Sequence, residues 1–244
     1  MLFHEGEART TEKDERLAWT FASLAGALNA AGFYAFGAYS SNMTGNVSAL
    51  ADHLGLGDLR LALHALALVA TFVIGAMTAT LLIGVGRGRS LRGVYAYGVL
   101  AEAAMLAALG GLAPLLPADG RNATLALGLS FLLGLQNATV TQITNARVRT
   151  THVTGMVTDI GIGLANVLGQ HSAADRAKLR LHLLTVVAFL GGGILGVLLY
   201  RWLGTALLLI VSALLALLAA PGIRTAGRSS HSHLGGGERR GGQL

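Results

Sequence analysis

Long stretches without a charged residue alternate with short charged segments along the chain. A helix needs about 20 apolar residues to cross the hydrocarbon core of a bilayer, and each uncharged stretch is long enough. One further stretch of this length, Gly93–Leu116, is interrupted only by Glu102. The pattern therefore predicts six membrane spans. The five uncharged stretches are Leu17–Ala51, Leu61–Gly86, Asn122–Ala146, Leu181–Tyr200 and Trp202–Ile223.

The spans are predicted to be α-helices. Lipid offers no hydrogen-bond partner to free backbone groups, so a span must be a helix or part of a closed barrel. The Leu- and Ala-rich runs of this chain lack the period-two alternation of a membrane barrel. We therefore expect an all-α helical bundle in the lipid bilayer.

The charged loops predict the topology. Gly86–Arg92 ("GRGRSLR") and Asp175–Arg180 ("DRAKLR") are basic, whereas Pro114–Arg121 carries no net charge. Basic loops favour the cytoplasmic side of a membrane. The alternation therefore predicts a multi-pass inner-membrane protein with both termini in the cytoplasm. A polar segment at residues 1–16 precedes the spans, and a disordered basic tail at residues 223–244 follows them.

Two polar phrases interrupt the apolar pattern at corresponding places. Asn42–Leu50 ("NMTGNVSAL") matches His152–Ile160 ("HVTGMVTDI") in order and spacing. The match predicts an internal repeat with halves at residues 17–116 and 121–222. Each half contributes three crossings, and an odd number of crossings inverts the second half relative to the first. Inverted repeats of this kind are common among secondary transporters.

Each polar phrase is predicted to break a helix. The breaks are expected near Ser40–Asn42 and Thr150–His152, with a short half-helix restarting at Thr44 or Thr154. Thr, Ser and Asn are favoured N-caps, and irregular backbone at membrane depth is tolerated where it is buried in protein or lines a cavity. The N-terminus of a half-helix presents free N–H groups and a partial positive charge, which suit an anion or a carbonyl.

The same blocks resemble the YoaK-type family of bacterial integral membrane proteins, whose function is unknown. The resemblance implies a multi-spanning inner-membrane protein with no assigned substrate. His152 departs from the family, whose members often carry an aromatic residue such as Tyr there. The resemblance runs through Leu17–Ala220 and is carried by Asn29 and Ala30, "MTGN" (Met43–Asn46), "GLQNA" (Gly134–Ala138) and "VRTTHVTGMVTD" (Val148–Asp159).

Eight small or polar residues form the predicted substrate site between the halves. In the alternative interpretation, the Thr and Gly residues are caps and close-packing residues, and the amides only join helices. Such interhelical hydrogen bonds are worth about 1–2 kcal/mol in model peptides. The eight residues lie in the polar phrases and on the spans that lead into them: Asn29, Thr44, Gly45, Asn46, Gln136, Asn137, Thr154 and Gly155.

Glu102 and Asp159 are the predicted proton- or ion-coupling residues. An acid within a span is costly to insert, so a function is the default hypothesis. Glu102 has the alternative of a protonated side chain bonded to a neighbouring helix. Asp159 has the alternative of an ion pair with Arg147 or Arg149.

Several function classes find no support in the sequence. It contains no zinc-protease motif, nucleophile elbow, phosphate-binding loop or dinucleotide fingerprint, so we predict no enzyme activity, no cofactor and no metal site. The net charge of +6 lies in loops and in the tail, where the positive-inside rule places it, so nucleic acid is not a predicted partner.

The paired helix breaks predict a transporter or channel-like permease. Its substrate would be a small polar solute, with an anion or carboxylate favoured, bound near the bilayer midplane between the inverted repeats. The alternative is a non-transporting scaffold or regulatory protein whose polar motifs only pack helices. The Gly192-x-x-x-Gly196 spacing favours close helix packing, and homo-oligomerisation stays open.

Overall fold

The computed structural model describes residues 2, 9–169 and 173–234, with side chains up to residue 224. Within these residues the regular structure is helical and contains no strand. A 3-10 turn at Ala113–Leu115 follows the fourth helix. The eight α-helices of the described chain are α1 (Thr11–Phe36), α2 (Met43–Gly55), α3 (Leu59–Gly88), α4 (Val94–Leu112), α5 (Ala118–Ile143), α6 (Val153–Leu168), α7 (Ala173–Leu203) and α8 (Ala206–Leu234).

Five helices in the described part of the chain are long and apolar enough to cross a membrane. They are α3, α4 together with its 3-10 turn, α5, α7, and α8 up to Arg224. The prediction of an all-α, multi-pass membrane protein is therefore confirmed. The helices α2 and α6 have 13 and 16 residues, fewer than the roughly 20 that a span requires. The first predicted span corresponds to α1, which has 26 residues but is not among the five.

Other helices enclose much of α1. Phe21, Ala25 and Leu28 are at most 1% exposed, and Asn29 on the same helix is 6% exposed. Polar residues such as Asn29 lower the hydropathy of the helix, and they are tolerated because neighbouring helices shield them from lipid. Helix α1 is therefore long enough to span a membrane, but it is not apolar enough to count among the five candidate spans.

The long helices pack in pairs that connect the two halves of the chain. Helix α1 packs along α7, α3 along α5, and α4 along α8. The short helices α2 and α6 pack on α3 and α7, respectively. Exchanging the first four helices with the last four converts the α1–α7 pair into α5–α3 and the α2–α3 pair into α6–α7. Each half thus contributes helices that complete the core of the other.

Glycines bring the backbones of the paired helices into contact. A Cβ atom at Gly26 of α1 would collide with the backbone carbonyl of Phe189 of α7. In the equivalent pair, a Cβ atom at Gly134 of α5 would collide with the backbone carbonyl of Phe72 of α3. Small residues allow this close approach in membrane helix packing. The two contacts hold Phe72 and Phe189 in equivalent places.

Non-helical segments separate α1 from α2 and α5 from α6. Helix α1 ends at Phe36, where Gly37 adopts a left-handed conformation with φ of 72°, and α2 begins at Met43. Glycine reaches this conformation without steric cost, so it is the usual residue just past a helix end. Helix α5 ends at Ile143 and α6 begins at Val153.

Each short helix begins one residue before the predicted threonine. The N-cap of α2 is Asn42, whose Oδ1 atom accepts a hydrogen bond from the Gly45 backbone N–H at 3.0 Å. The N-cap of α6 is His152. The prediction that Thr44 and Thr154 begin the half-helices is therefore corrected by one residue. Asn is among the strongest N-cap residues, which favours the start of α2 directly after Asn42.

The predicted boundaries shift at both ends of the chain. Helix α1 already begins at Thr11, so part of the predicted polar segment 1–16 is helical. Acidic residues in its first turn favour this early start because they oppose the positive end of the helix dipole. Helix α8 continues to Leu234, so the beginning of the tail predicted as disordered at 223–244 is helical. Residues 235–244 lie outside the described residues.

Candidate solute site

A cavity of about 730 Å³ lies where the two short helices begin, and we call it the central cavity. Phe72 and Phe189, which line it, are close to the midpoints of α3 and α7. The central cavity is therefore at middle depth in the helical bundle. Its polar lining residues are Asn29, Ser41, Asn42, Thr44, Asn137, Thr141, Arg149, Thr151, His152 and Thr154.

Two asparagines hold the non-helical segments against the long helices. Asn29 Oδ1 accepts a hydrogen bond from the Ser41 backbone N–H at 3.0 Å, and Asn137 Oδ1 accepts one from the Thr150 backbone N–H at 3.1 Å. The two Nδ2 groups have no hydrogen-bond partner in the part of the chain that the structure describes. Both side chains line the central cavity, so each offers it a free N–H donor.

The starts of α2 and α6 differ in their capping. Asn42 caps α2, whereas no side chain of the described residues accepts a hydrogen bond from the first turn of α6. The His152 imidazole instead packs over Gly155, where a Cβ atom would collide with the ring. The backbone N–H groups at the start of α6 are therefore without a side-chain acceptor, and the positive end of this helix dipole is not offset by a cap.

Arg149 gives the central cavity its positive charge. The side chain forms no hydrogen bond or ion pair with any residue that the structure describes. Arg147, two residues earlier, behaves differently, because its Nε atom lies 3.0 Å from Asp14 Oδ2. Among the described residues, no Asp or Glu lines the central cavity. The electrostatic environment therefore favours an anion over a cation.

The structure brings four of the eight predicted site residues into the cavity lining. Gly45 and Gly155 do not line the cavity. Each lies in the first turn of a short helix, directly after a threonine that does line it. Asn46 is buried, and its Nδ2 atom donates to the Tyr39 carbonyl oxygen at 3.2 Å. Gln136 is buried elsewhere. The four that line the cavity are Asn29, Thr44, Asn137 and Thr154.

Gln136 binds Glu102 in a separate buried pair. The Gln136 Nε2 atom donates to Glu102 Oε1 at 2.8 Å, and the two residues are 0% and 1% exposed. Neither lines the central cavity. The structure therefore joins one predicted substrate ligand to one predicted coupling acid through a contact between α5 and α4.

Asp159 lies beside a second cavity of about 190 Å³, which shares Arg149 and His152 with the central cavity. Its carboxylate oxygens lie 3.7 Å from Lys178 Nζ and 3.6 Å from His182 Nδ1. Asp159 thus pairs with Lys178 rather than with either arginine considered from the sequence. The shared lining residues place this charged cluster next to the central cavity, on the α6 and α7 side.

The chain matches a protein family over residues 17–220, and that family is described as "Protein of unknown function (DUF1275)". The match spans most of the chain. The chain belongs to the DUF1275 family. The resemblance to an uncharacterised membrane family is thereby confirmed. No curated protein and no solved structure matches the chain.

The region matched by the DUF1275 family contains every lining residue of both cavities. Sequence reasoning did not name most of these lining residues as site residues, among them Tyr39, Phe72, Arg149 and Phe189. The two phenylalanines occupy matching positions in the internal repeat, which is a signal that could have found them. Arg149 stands three residues before His152 in the second polar phrase, and its charge at the edge of an apolar run is a comparable signal.

Proposed function

We propose that this DUF1275-family protein is a permease for a small polar solute, with an anion or carboxylate favoured, that binds in the central cavity. The proposed architecture has six crossings in two inverted three-helix repeats. Helices α1 and α2 together form one broken crossing, and α5 and α6 form another. The protein lies in the inner membrane with both termini in the cytoplasm, as the basic loops favour.

The helix contacts support the two repeats. Exchanging the halves maps the α1–α7 pair onto α5–α3. It also maps the Asn29–Ser41 hydrogen bond onto the Asn137–Thr150 hydrogen bond. In secondary transporters, inverted repeats bring the N-termini of discontinuous helices to a shared site near the midplane. The starts of α2 and α6 meet in this way at the central cavity.

The observation that carries the proposal is a roomy, polar cavity between helix breaks at middle depth in an apolar bundle. Irregular backbone at membrane depth is tolerated where it is buried in protein or lines a water-filled cavity. Here the non-helical residues Ser41 and Thr151 line the cavity themselves. A cavity with free N–H donors, hydroxyls and one guanidinium suits a polar solute that leaves water and crosses by exchange of hydrogen-bond partners.

Flux through proteoliposomes tests the proposal. Purified protein is reconstituted, and entry of labelled chloride, phosphate, acetate, benzoate and glycerol is compared with protein-free vesicles. Ala138 lines the central cavity, so Ala138→Phe fills part of it. Ala104 is exposed on α4 outside the lining, so Ala104→Phe adds the same bulk without obstructing the cavity.

We expect protein-dependent flux of at least one anion, loss of that flux in Ala138→Phe, and unchanged flux in Ala104→Phe. Both variants are compared with the wild type by size-exclusion chromatography, so that a folding defect is recognised. Flux that is insensitive to Ala138→Phe, or no protein-dependent flux of any panel member, contradicts the permease proposal.

A non-transporting scaffold is the second candidate, and a specific observation favours it. Part of the hydrogen-bonding capacity of the predicted site residues is used in internal contacts, since Asn29, Asn137 and Gln136 all bind neighbouring segments. In this case Ala138→Phe alters thermal stability only, and no small solute stabilises the wild-type protein. A solute that raises the Tm of the wild type but not of Ala138→Phe favours the permease.

A further inference from the structure

We propose that the solute of the central cavity is an organic monocarboxylate with an apolar body. Its carboxylate binds Arg149 beside the start of α6, and its apolar part lies between Phe72 and Phe189. The inference rests on the proposed function in taking the central cavity as the solute site. It adds the chemical class of the solute and its orientation.

The size of the cavity argues against a bare inorganic ion. A water molecule occupies about 30 Å³ in the liquid, so a halide or phosphate would leave most of the roughly 730 Å³ unfilled. Pockets for drug-sized ligands typically measure about 300–1,000 Å³. The central cavity falls in that range and has room for an organic solute together with several waters.

The charged and polar residues of the lining favour a negatively charged solute. Arg149 is the one Arg or Lys among the described lining residues, and no carboxylate accompanies it there. Asn29 adds an independent donor, because its side chain is 6% exposed and its Nδ2 atom has no partner in the described chain. Asn137 repeats this arrangement on the opposite side. A single guanidinium with neutral donors matches one carboxylate, whereas an amine would find no counter-charge.

The two helix starts place the carboxylate on the α6 side. At the start of α2, Asn42 Oδ1 already accepts the hydrogen bond from Gly45 N–H at 3.0 Å. At the start of α6 no side chain does so, and Arg149 lies three residues before the N-cap His152. A carboxylate at this end would accept the backbone N–H hydrogen bonds that no cap side chain accepts. The two repeats therefore differ at the start of the short helix, and the carboxylate is proposed to bind at the start without a cap.

Apolar side chains form the remainder of the wall. Phe72 and Phe189 come from α3 and α7, and their backbones are held by the contacts with Gly134 and Gly26. Met43, Ala76, Ala138 and Val153 line the same cavity. Aromatic rings at these positions favour an apolar or aromatic solute body through burial of its surface. Small hydrophilic anions such as acetate gain less from these contacts.

Binding to the purified full-length protein in nanodiscs tests the inference. The probes are benzoate, acetate, chloride, benzamide and benzylamine, measured by isothermal titration calorimetry at one salt concentration. Benzamide keeps the shape of benzoate but removes its charge, and benzylamine reverses the charge. We expect benzoate to bind at least about tenfold more tightly than acetate, chloride or benzamide, because both the ring and the charge contribute. Benzylamine should not bind.

Three variants separate the contributions of charge and ring. Arg149→Gln should weaken benzoate binding about tenfold or more, and Arg149→Lys should retain part of the affinity. Arg60→Gln removes an exposed arginine outside both cavities and should leave binding unchanged. The Phe72→Ala/Phe189→Ala double variant should weaken benzoate binding and leave the weaker acetate binding as it is.

The inference is overturned if chloride binds as tightly as benzoate, if benzylamine competes with benzoate, or if Arg149→Gln and Arg149→Lys both bind benzoate like the wild type. Its failure is distinguishable from failure of the permease proposal. Benzoate binding without any flux overturns the permease and supports the ligand class. Protein-dependent flux of an amine, blocked by Ala138→Phe, supports the permease and overturns the ligand class.

Discussion

At the residue scale, Glu102 and Gln136 form a hydrogen-bonded polar pair in the interior of the bundle. One hydrogen bond of 2.8 Å joins them, while Glu102 Oε2 and Gln136 Oε1 have no partner in the described chain. A charged carboxylate at this depth is expensive, and a half-satisfied polar pair is costly as well. A protonated carboxyl group would remove both costs, because its O–H could donate to Gln136 Oε1.

We predict that Glu102→Gln retains the stability of the protein and that Glu102→Leu does not. An amide at residue 102 can still exchange hydrogen bonds with Gln136, whereas leucine leaves the buried Gln136 amide unpaired at a cost of about 1–3 kcal/mol. Unfolding in detergent with increasing denaturant measures the difference. The Glu102→Leu/Gln136→Leu double variant is the control, and it should recover part of the loss because no unpaired polar group remains.

The same variant tests the coupling role of Glu102. If the acid carries a proton during transport, Glu102→Gln should lose pH-driven uptake into proteoliposomes at unchanged stability. Uptake equal to that of the wild type would instead assign Glu102 to helix packing. Equal stability of Glu102→Leu and the wild type would contradict the structural role.

At the scale of the helix, the contacts between backbones decide which elements pair. Gly192 and Gly196 of α7 lie against the backbone of Ser23 and Ala27 of α1, where Cβ atoms would collide. The Gly192-x-x-x-Gly196 spacing that predicted close packing therefore packs within the chain. Gly75 of α3 meets α5 at the equivalent position. Two such crossings, each joining one half of the chain to the other, bring α1 and α5 next to the cavity.

We predict that Gly192→Ala destabilises the protein while Gly191→Ala does not. The added Cβ atom at Gly192 would collide with the backbone of Ser23, and such overpacking typically costs about 1–3 kcal/mol. At Gly191 the Cβ atom meets open space, so only the better helix propensity of alanine remains. Thermal denaturation in the same detergent compares the two variants, and equal Tm values would contradict the close α1–α7 contact.

The sequence pattern predicted the positions of the helices better than it predicted which helices pack together. Charge-free runs located the long helices because burial in lipid acts on composition, which is local. Non-helical segments precede Met43 and Val153 in the structure. The pairing of α1 with α7 could not be predicted in this way, since it depends on contacts between residues distant in the chain. The predicted starts of the short helices were misplaced by one residue because Asn, His and Thr stand close together in the same phrases.

Four of the eight residues predicted for the site line the central cavity and four do not, for a related reason. Asn29 and Asn137 were found because the internal repeat marks them, and both line the cavity. Gln136 lies next to Asn137 in the sequence, but a helix turns by about 100° per residue, so its side chain is directed to Glu102 instead. Without the orientation of α5, the sequence could not separate the two amides.

At the scale of the whole molecule, the two proposed repeats differ in charge distribution. Asp159 in α6 corresponds to Ala49 in α2, so the charged cluster that Asp159 forms with His182 and Lys178 lacks its acid in the first half. In the proposed topology α6 runs from the cavity to the cytoplasmic side and α2 to the opposite side. In this topology the charged cluster therefore lies on the cytoplasmic side of the central cavity, and the opposite side lacks the corresponding acid.

The inverted arrangement predicts that the ends of α2 and α6 lie on opposite sides of the membrane. Leu56, just past α2, is 81% exposed, and Leu168 at the end of α6 is 88% exposed. The chain contains no cysteine, so Leu56→Cys and Leu168→Cys each introduce a single reactive thiol. Arg92→Cys serves as the cytoplasmic control because it lies in the basic loop between α3 and α4.

A membrane-impermeant maleimide applied to intact cells with a permeabilised outer membrane should label Leu56→Cys directly. It should label Leu168→Cys and Arg92→Cys only after the inner membrane is opened. This follows because α1 and α2 together make one crossing, α3 returns, and the basic loop stays inside. Labelling of both α2 and α6 ends from the same side would contradict the inversion, since the two repeats would then enter the membrane in the same direction.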